Sequence, residues 1–177
     1  MYSADSRSCS TTRTRSAWAL TSATRRSCAG AAVTEPGRGR LLHLVDTSAL
    51  ARAAQPGVRR VLAGLLAEEA AATCVTVDLE AGYSGRTADE VRVIADRRRS
   101  VFVVLPLDEA IAERARDVQL RMAARGHHRA AGVVDLLTAA VAEQHGALLR
   151  YYDGDFEHIA ATTGQPQLWI APRGTLE

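Results

Sequence analysis

The segment Val133–Asp155, VVDLLTAAVAEQHGALLRYYDGD, leaves few folds open to the chain that contains it. Val133, Leu136, Leu137, Ala140 and Val141 recur at the spacing of one helix face, which predicts an amphipathic helix from Val133 to about Gln144. Gly146 supplies a stop. The apolar run Ala147–Tyr152 then reads as a short buried strand that ends abruptly on Asp153-Gly154-Asp155. Asp135 lies in the first turn of that helix and Asp153 at the end of that strand, so a helix start and a strand end can bring two carboxylates together.

The same grammar runs upstream. Leu41–Val45 is a compact apolar run without a helical stripe, followed by Asp46-Thr47-Ser48-Ala49-Leu50: a strand, a carboxylate, then helix formers. Thr47 and Ser48 read as capping residues first and as hydroxyls that orient a ligand second. After the turn Gln55-Pro56-Gly57, the stripe at residues 58, 61, 62, 65 and 66 predicts a helix over Val58–Glu69. Ala71–Val75 is a second strand, and Thr76 can cap a helix that carries Leu79 and Tyr83 on one face and Glu80 on the next. Asp78 is closer to that helix start and is assigned to the helix dipole, which leaves Glu80 on the rim.

Thr87–Arg99 predicts a polar helix with Arg97-Arg98-Arg99 as its solvated end, and Val101–Leu105 a third strand stopped by Pro106. Asp108–Arg125 is a long charged helix with Ile111, Ala115, Val118 and Met122 inward, followed by a solvent-facing loop with His127 and His128. Asp155 is expected to cap a short helix over Phe156–Thr163, and Gln167–Ala171 to form a last strand with Trp169 packed inward. Strands alternating with helices at this spacing imply an α/β sandwich with a mainly parallel sheet flanked by helices.

At 177 residues there is room for one domain with a proper core. No apolar run approaches the roughly 20 residues a bilayer span needs, so no membrane association is expected. Three cysteines, Cys9, Cys28 and Cys74, lack metal-type spacing and read as reduced thiols of a cytoplasmic protein. All 22 basic residues are arginine, and the net charge of +2 conceals an asymmetry. Residues 1–40 hold seven Arg against Asp5 and Glu35; residues 41–177 hold fifteen Arg against eighteen acids. Segment 1–40, rich in Ser, Thr and Arg, is expected to be a disordered leader, with translation starting nearer Val33. The remainder, 41–177, is mildly acidic, which argues against broad electrostatic binding of nucleic acid and for a localised acidic site.

Ligands of an open parallel sheet collect at the carboxyl ends of its strands. Asp46 ends the first strand, Glu80 follows the second, Asp153 ends the fourth and Asp135 opens the helix leading to it. No phosphate-cradling glycine loop and no Ser/His/Asp order competes with them. Two like charges 4 Å apart repel by about 4 kcal/mol at an effective dielectric of 20, so four such groups must take up protons or a divalent cation. All-oxygen ligands suit Mg²⁺ or Mn²⁺, with Asp46 and Asp135 as the main metal ligands, Asp153 completing the site and Glu80 holding or deprotonating a water. Arg86, Arg125 and Arg129 are candidates for local phosphate contacts.

At these residues a resemblance becomes specific. DTSAL after the first strand, L-E-x-x-Y at Leu79–Tyr83, HRAAGVVDLLTAAVAEQHG at His128–Gly146 and YYDGDFEHIA at Tyr151–Ala160 together resemble PIN-domain ribonucleases, above all VapC toxins of bacterial type II toxin–antitoxin systems. The likeness covers Leu41–Ala171. It implies a PIN-like three-layer sandwich over 41–177 and Mg²⁺-dependent endonucleolytic cleavage of RNA, commonly tRNA or rRNA. It also implies neutralisation by a VapB antitoxin whose tail covers the acidic site, and a homodimer. The family's acids fall on Asp46, Glu80, Asp135 and Asp153. Tyr152 departs from the Thr or similar small residue that many members of the family carry near the last acid. Two other readings use the same residues: a nuclease directed at DNA or at structured nucleic acid, and a catalytically silent module that only binds partners.

Overall fold

The computed structural model describes residues 40–176. The leader expected over 1–40 lies outside the described residues, apart from Arg40.

Three short strands open the order: β1 (His43–Val45), β2 (Ala71–Cys74) and β3 (Val103–Leu105), joined later by β4 (Leu148–Tyr151) and β5 (Gln167–Trp169). They form one parallel sheet in the order β3-β2-β1-β4-β5. The chain walks outward from β1 to β3, then crosses back to lay β4 on the free side of β1. The switch point therefore lies between β1 and β4, where the register pairs Val45 with Arg150 and the Asp46 N–H donates to the Arg150 carbonyl at 2.9 Å. At such a point the connections leave in opposite directions and open a crevice at the carboxyl ends of the strands.

Both faces of the sheet are covered. On one side Leu44, Leu149 and Tyr151 pack on α5 (Glu109–Ala124), α6 (Val133–Gln144) and α7 (Asp155–Thr163); on the other Val45, Ala71 and Tyr152 pack on α1 (Thr47–Leu50) and α2 (Pro56–Ala67). Alternate residues of one strand thus enter opposite cores, as a period of two requires. Each fully buried Leu or Val contributes about 1.5–3 kcal/mol, so the sheet centre anchors the rim. Ile111, Ala115, Val118 and Met122 all face inward from α5 as their spacing predicts.

Several local expectations are corrected. Val75 and Val101 belong to helices, α3 (Val75–Gly82) and α4 (Ala88–Val101), instead of strands. Cys74, not Thr76, is the N-cap of α3; Thr76 is buried and hydrogen-bonded across to α6. Arg98 is not part of a solvated helix end, being only 8% exposed. Its Nε donates to Asp78 Oδ1 at 2.6 Å and its second nitrogen to Thr73 Oγ1 at 2.6 Å, while Thr73 donates to the same Asp78 oxygen at 2.8 Å. Asp78 keeps a structural role, but as the anion of a knot that ties α4 to β2. Gly154, not Asp155, is the N-cap of α7.

Candidate active site

Asp46 follows the central strand directly and is 3% exposed. It is the N-cap of α1: the Ser48 N–H donates to its Oδ2 at 2.8 Å and the Ser48 hydroxyl to the same oxygen at 2.5 Å. Burial pushes its carboxyl above the ordinary aspartate value; the Ser48 bonds oppose that shift and the charge of Glu80 adds to it. Asp46 thus caps α1 while facing the charge of Glu80. The Ser48 oxygen also accepts the Tyr152 N–H at 2.9 Å, which fastens the end of β4 to the first acid.

Glu80 reaches the same rim from α3, held by the Thr47 hydroxyl, which donates to its Oε2 at 2.7 Å. A cavity of about 440 Å³ opens beside it, with Thr47, Leu50, Ile94, Arg97 and Arg98 among its walls.

Asp135 is in the first turn of α6, where its Oδ2 accepts the Gly132 N–H at 2.8 Å. A Cβ at position 132 would stand 3.0 Å from that oxygen, so glycine lets the carboxylate fold back over the helix start. Its carboxyl is pushed up to about 6. Burial is the main cause, the Gly132 hydrogen bond opposes it, and the charges of Asp46, Asp153 and Asp155 raise it further. Asp153, exposed at the end of β4, accepts the Asp155 N–H at 3.1 Å. Asp155 is raised by burial and by the charge of Asp153.

All four predicted acids therefore belong to one electrostatic neighbourhood, and Asp155 is a fifth member that sequence reasoning assigned to a cap. Among the described residues no three Asp, Glu, His or Cys side chains stand within reach of one ion. Each carboxylate instead leans on its own donor: Ser48, Thr47, Gly132 or the N–H of Asp155. Mutual repulsion spreads such groups in this way. In donor chemistry the set fits a hard divalent cation: oxygens only, Asp46 and Asp135 raised above the ordinary aspartate value by burial and by neighbouring carboxylates, and no arginine bonded to Asp46, Glu80, Asp135 or Asp153 among the described residues.

The departure at position 152 is explained by where the ring goes. Tyr152 turns into the α1/α2 core, where its hydroxyl accepts the Leu176 N–H at 2.7 Å, and only its backbone serves the site. The hydroxyl at the first acid comes from Ser48. Of the arginines expected to meet phosphate, Arg125 is occupied, donating to the Ala161 carbonyl at 2.8 Å, whereas Arg97, which lines the cavity beside Glu80, was not anticipated. His127 and His128 are exposed, as expected, and His127 sits edge-on to His158 at 5.6 Å.

The family model for the PIN domain matches residues 43–162, a span that contains all five acids. This chain belongs to the PIN-domain VapC family. Two VapC relatives in Mycobacterium tuberculosis carry the assignment. Ribonuclease VapC21 is 38% identical over 133 residues, covering 75% of this chain and 96% of the relative; Ribonuclease VapC18 is 40% identical over 139 residues, covering 77% and 100%. Among solved structures, the DNA-bound VapBC complex of Salmonella typhimurium aligns at a TM-score of 0.61 over 74% of this chain and 99% of its own, at 15% identity, a likeness of fold. The three-layer PIN sandwich expected from sequence is thus the fold observed. Among the described residues no helix is long and apolar enough to cross a membrane.

Proposed function

We propose that this VapC-family chain is the toxin of a toxin–antitoxin pair and cleaves RNA internally, using a divalent cation, Mg²⁺ or Mn²⁺, held by Asp46 and Asp135. The observation that carries this reading is the gathering of Asp46, Asp135 and Asp153 where the carboxyl ends of β1 and β4 meet, with no arginine bonded to them among the described residues, in a chain of the VapC family.

When bound, the cation would polarise water and phosphate oxygen and offset the charge that builds as the phosphodiester is attacked. The protein's own groups do the rest. Asp46 is fixed by Ser48 to the end of β4, so it presents its carboxylate in one direction. Asp153 and Asp155 add their negative charge to that of Asp135, which draws a cation in. Glu80, oriented by Thr47, is suited to align a water and accept its proton. Arg97 and Arg129, both exposed, supply the local positive charge that an otherwise acidic body needs for a phosphate chain.

The substrate class that suits this arrangement is a structured RNA such as tRNA or rRNA in the cytoplasm. The partner is a VapB-type antitoxin whose tail covers the acids; the VapBC complexes of Rickettsia felis and Salmonella typhimurium share this chain's fold. A homodimer is supported by exposed Val75, Leu79, Tyr83 and Val104, which gather along one groove beside the β3 edge.

Antitoxin-free protein incubated with RNA and with DNA, in Mg²⁺, in Mn²⁺ and then in EDTA, tests the reading. Cutting of RNA that stops in EDTA is the expected result. Cutting of DNA alone assigns the site to the other nucleic acid, and no cutting of either leaves a silent binding module.

A further inference from the structure

Glu80 and Asp135 ride on helices from different parts of the chain, and one side-chain bond joins those helices. Thr76 Oγ1 and Thr138 Oγ1 share a hydrogen bond of 2.7 Å, and Thr76 Oγ1 also meets Cys74 Sγ at 3.0 Å. The three residues are buried: Cys74 and Thr138 are 0% exposed and Thr76 8%. Among the described residues this is the one hydrogen bond between α3 and α6.

Position makes the bond more than packing. Thr76 precedes Glu80 by four residues and Thr138 follows Asp135 by three, so each threonine shares a helix face with its acid, about one turn away along the helix. Asp78 ties α3 to β2 and α4, and Asp135 closes the start of α6 on the Gly132 N–H, but neither of these bonds spans the two helices. α3 is short, eight residues, and has little rigidity of its own. With α3 already held to β2 and α4 through Asp78, the hydroxyl bridge, rooted through Cys74 in the last residue of β2, is the directional contact that sets α3 against α6. Apolar contact alone is non-directional and would permit slippage between them.

The geometry points to Thr76 and Thr138 as positioning residues that set the separation between Glu80 and Asp135, with Cys74 as their anchor on the sheet. This rests on the ribonuclease reading for its activity arm but not for its binding arm. Misplacing a reacting group by about 1 Å can cost about a hundredfold in rate, so a small slide of α3 is enough to be felt.

The test is the double variant Thr76→Val/Thr138→Val with Thr138→Ser as its control. Removing both hydroxyls together leaves no orphaned partner on the helices and preserves volume, so melting should stay close to wild type. Mn²⁺ alone, titrated by electron paramagnetic resonance, should bind the double variant roughly tenfold more weakly. On RNA, kcat should fall roughly tenfold with KM little changed, and Thr138→Ser should restore both values toward wild type. Unchanged Mn²⁺ affinity and unchanged kcat in the folded double variant would overturn the assignment, as would a loss that Thr138→Ser shares in full. Should wild type bind Mn²⁺ yet cleave no RNA, the ribonuclease reading fails while the Mn²⁺ comparison still decides the role of the threonines. Wild type that binds no Mn²⁺ removes the metal reading and this inference with it.

Discussion

Two acids on α3, Asp78 and Glu80, sit two residues apart and meet opposite fates. Asp78 is neutralised by its own chain: Arg98 at 2.6 Å and the Thr73 hydroxyl at 2.8 Å complete a closed triangle between β2 and α4. Glu80 has a single hydroxyl, Thr47, and its neighbour across the crevice is the buried Asp46, whose carboxyl it raises further. A carboxylate whose charge is matched from within belongs to the architecture. One whose charge is answered only by neutral donors and by more carboxylates is, on the reading proposed above, a ligand for a cation from outside.

The contrast breaks most sharply under substitution to the amide. Asp46→Asn or Asp135→Asn should lower RNA cleavage about a thousandfold or more, some 4 kcal/mol of transition-state stabilisation, with the fold intact by circular dichroism. Wild-type turnover in either variant would remove that residue from the site. Asp78→Asn should act the other way. Leaving Arg98 without its anion should cost on the order of 3 kcal/mol in urea unfolding, less than for a fully enclosed pair because the Asp78 side chain is 25% exposed. Cleavage per folded molecule should stay within about threefold of wild type. If instead stability is unchanged and turnover collapses, the two acids have been assigned the wrong way round.

A smaller effect sharpens the same distinction through pH. The native Asp135 carboxyl holds its proton up to about 6, above the unfolded value near 3.8. Stability from that protonated form is therefore fully present below the unfolded value and is lost as pH rises through 6. Without metal, Asp135→Asn escapes the loss, so its melting point should match wild type near pH 4 and exceed it by roughly 2–4 °C above pH 7. A difference that is constant across this range would mean that the carboxylate is not strained by its neighbours. Smallest of all, Ser48→Ala removes a donor from the buried Asp46 and a partner from the Tyr152 N–H. It should cost about 1 kcal/mol of stability and move the acid limb of the pH–rate profile upward by less than one unit. An acid limb that stays in place would show that Ser48 does not tune Asp46.

Much of this was readable in the chain itself. α6 occupies the span its apolar stripe predicts, Val133–Gln144, because one long periodic segment with a clear stop has little freedom. The acids were legible because each follows a strand or opens a helix, and parallel topology carries those positions to one rim. What escaped was set by distant partners. Three adjacent arginines look alike in sequence, and only the phase of α4 against Asp78 chooses Arg98 for burial. Thr76 met Thr138 across 62 residues, a pairing no local pattern announces. Asp155 reads locally as a cap, and its charge reaches Asp135, on a helix some twenty residues earlier, only once the chain is folded.

The most direct measurement is the melting point of metal-free protein with and without Mg²⁺ at pH 7.5, wild type beside Asp46→Asn and Asp135→Asn. If the uncompensated acids are a cation site, Mg²⁺ raises the melting point of wild type in a saturable way and leaves both variants nearly unmoved. A Mg²⁺ response of equal size in all three proteins, or of none in wild type, would contradict the account.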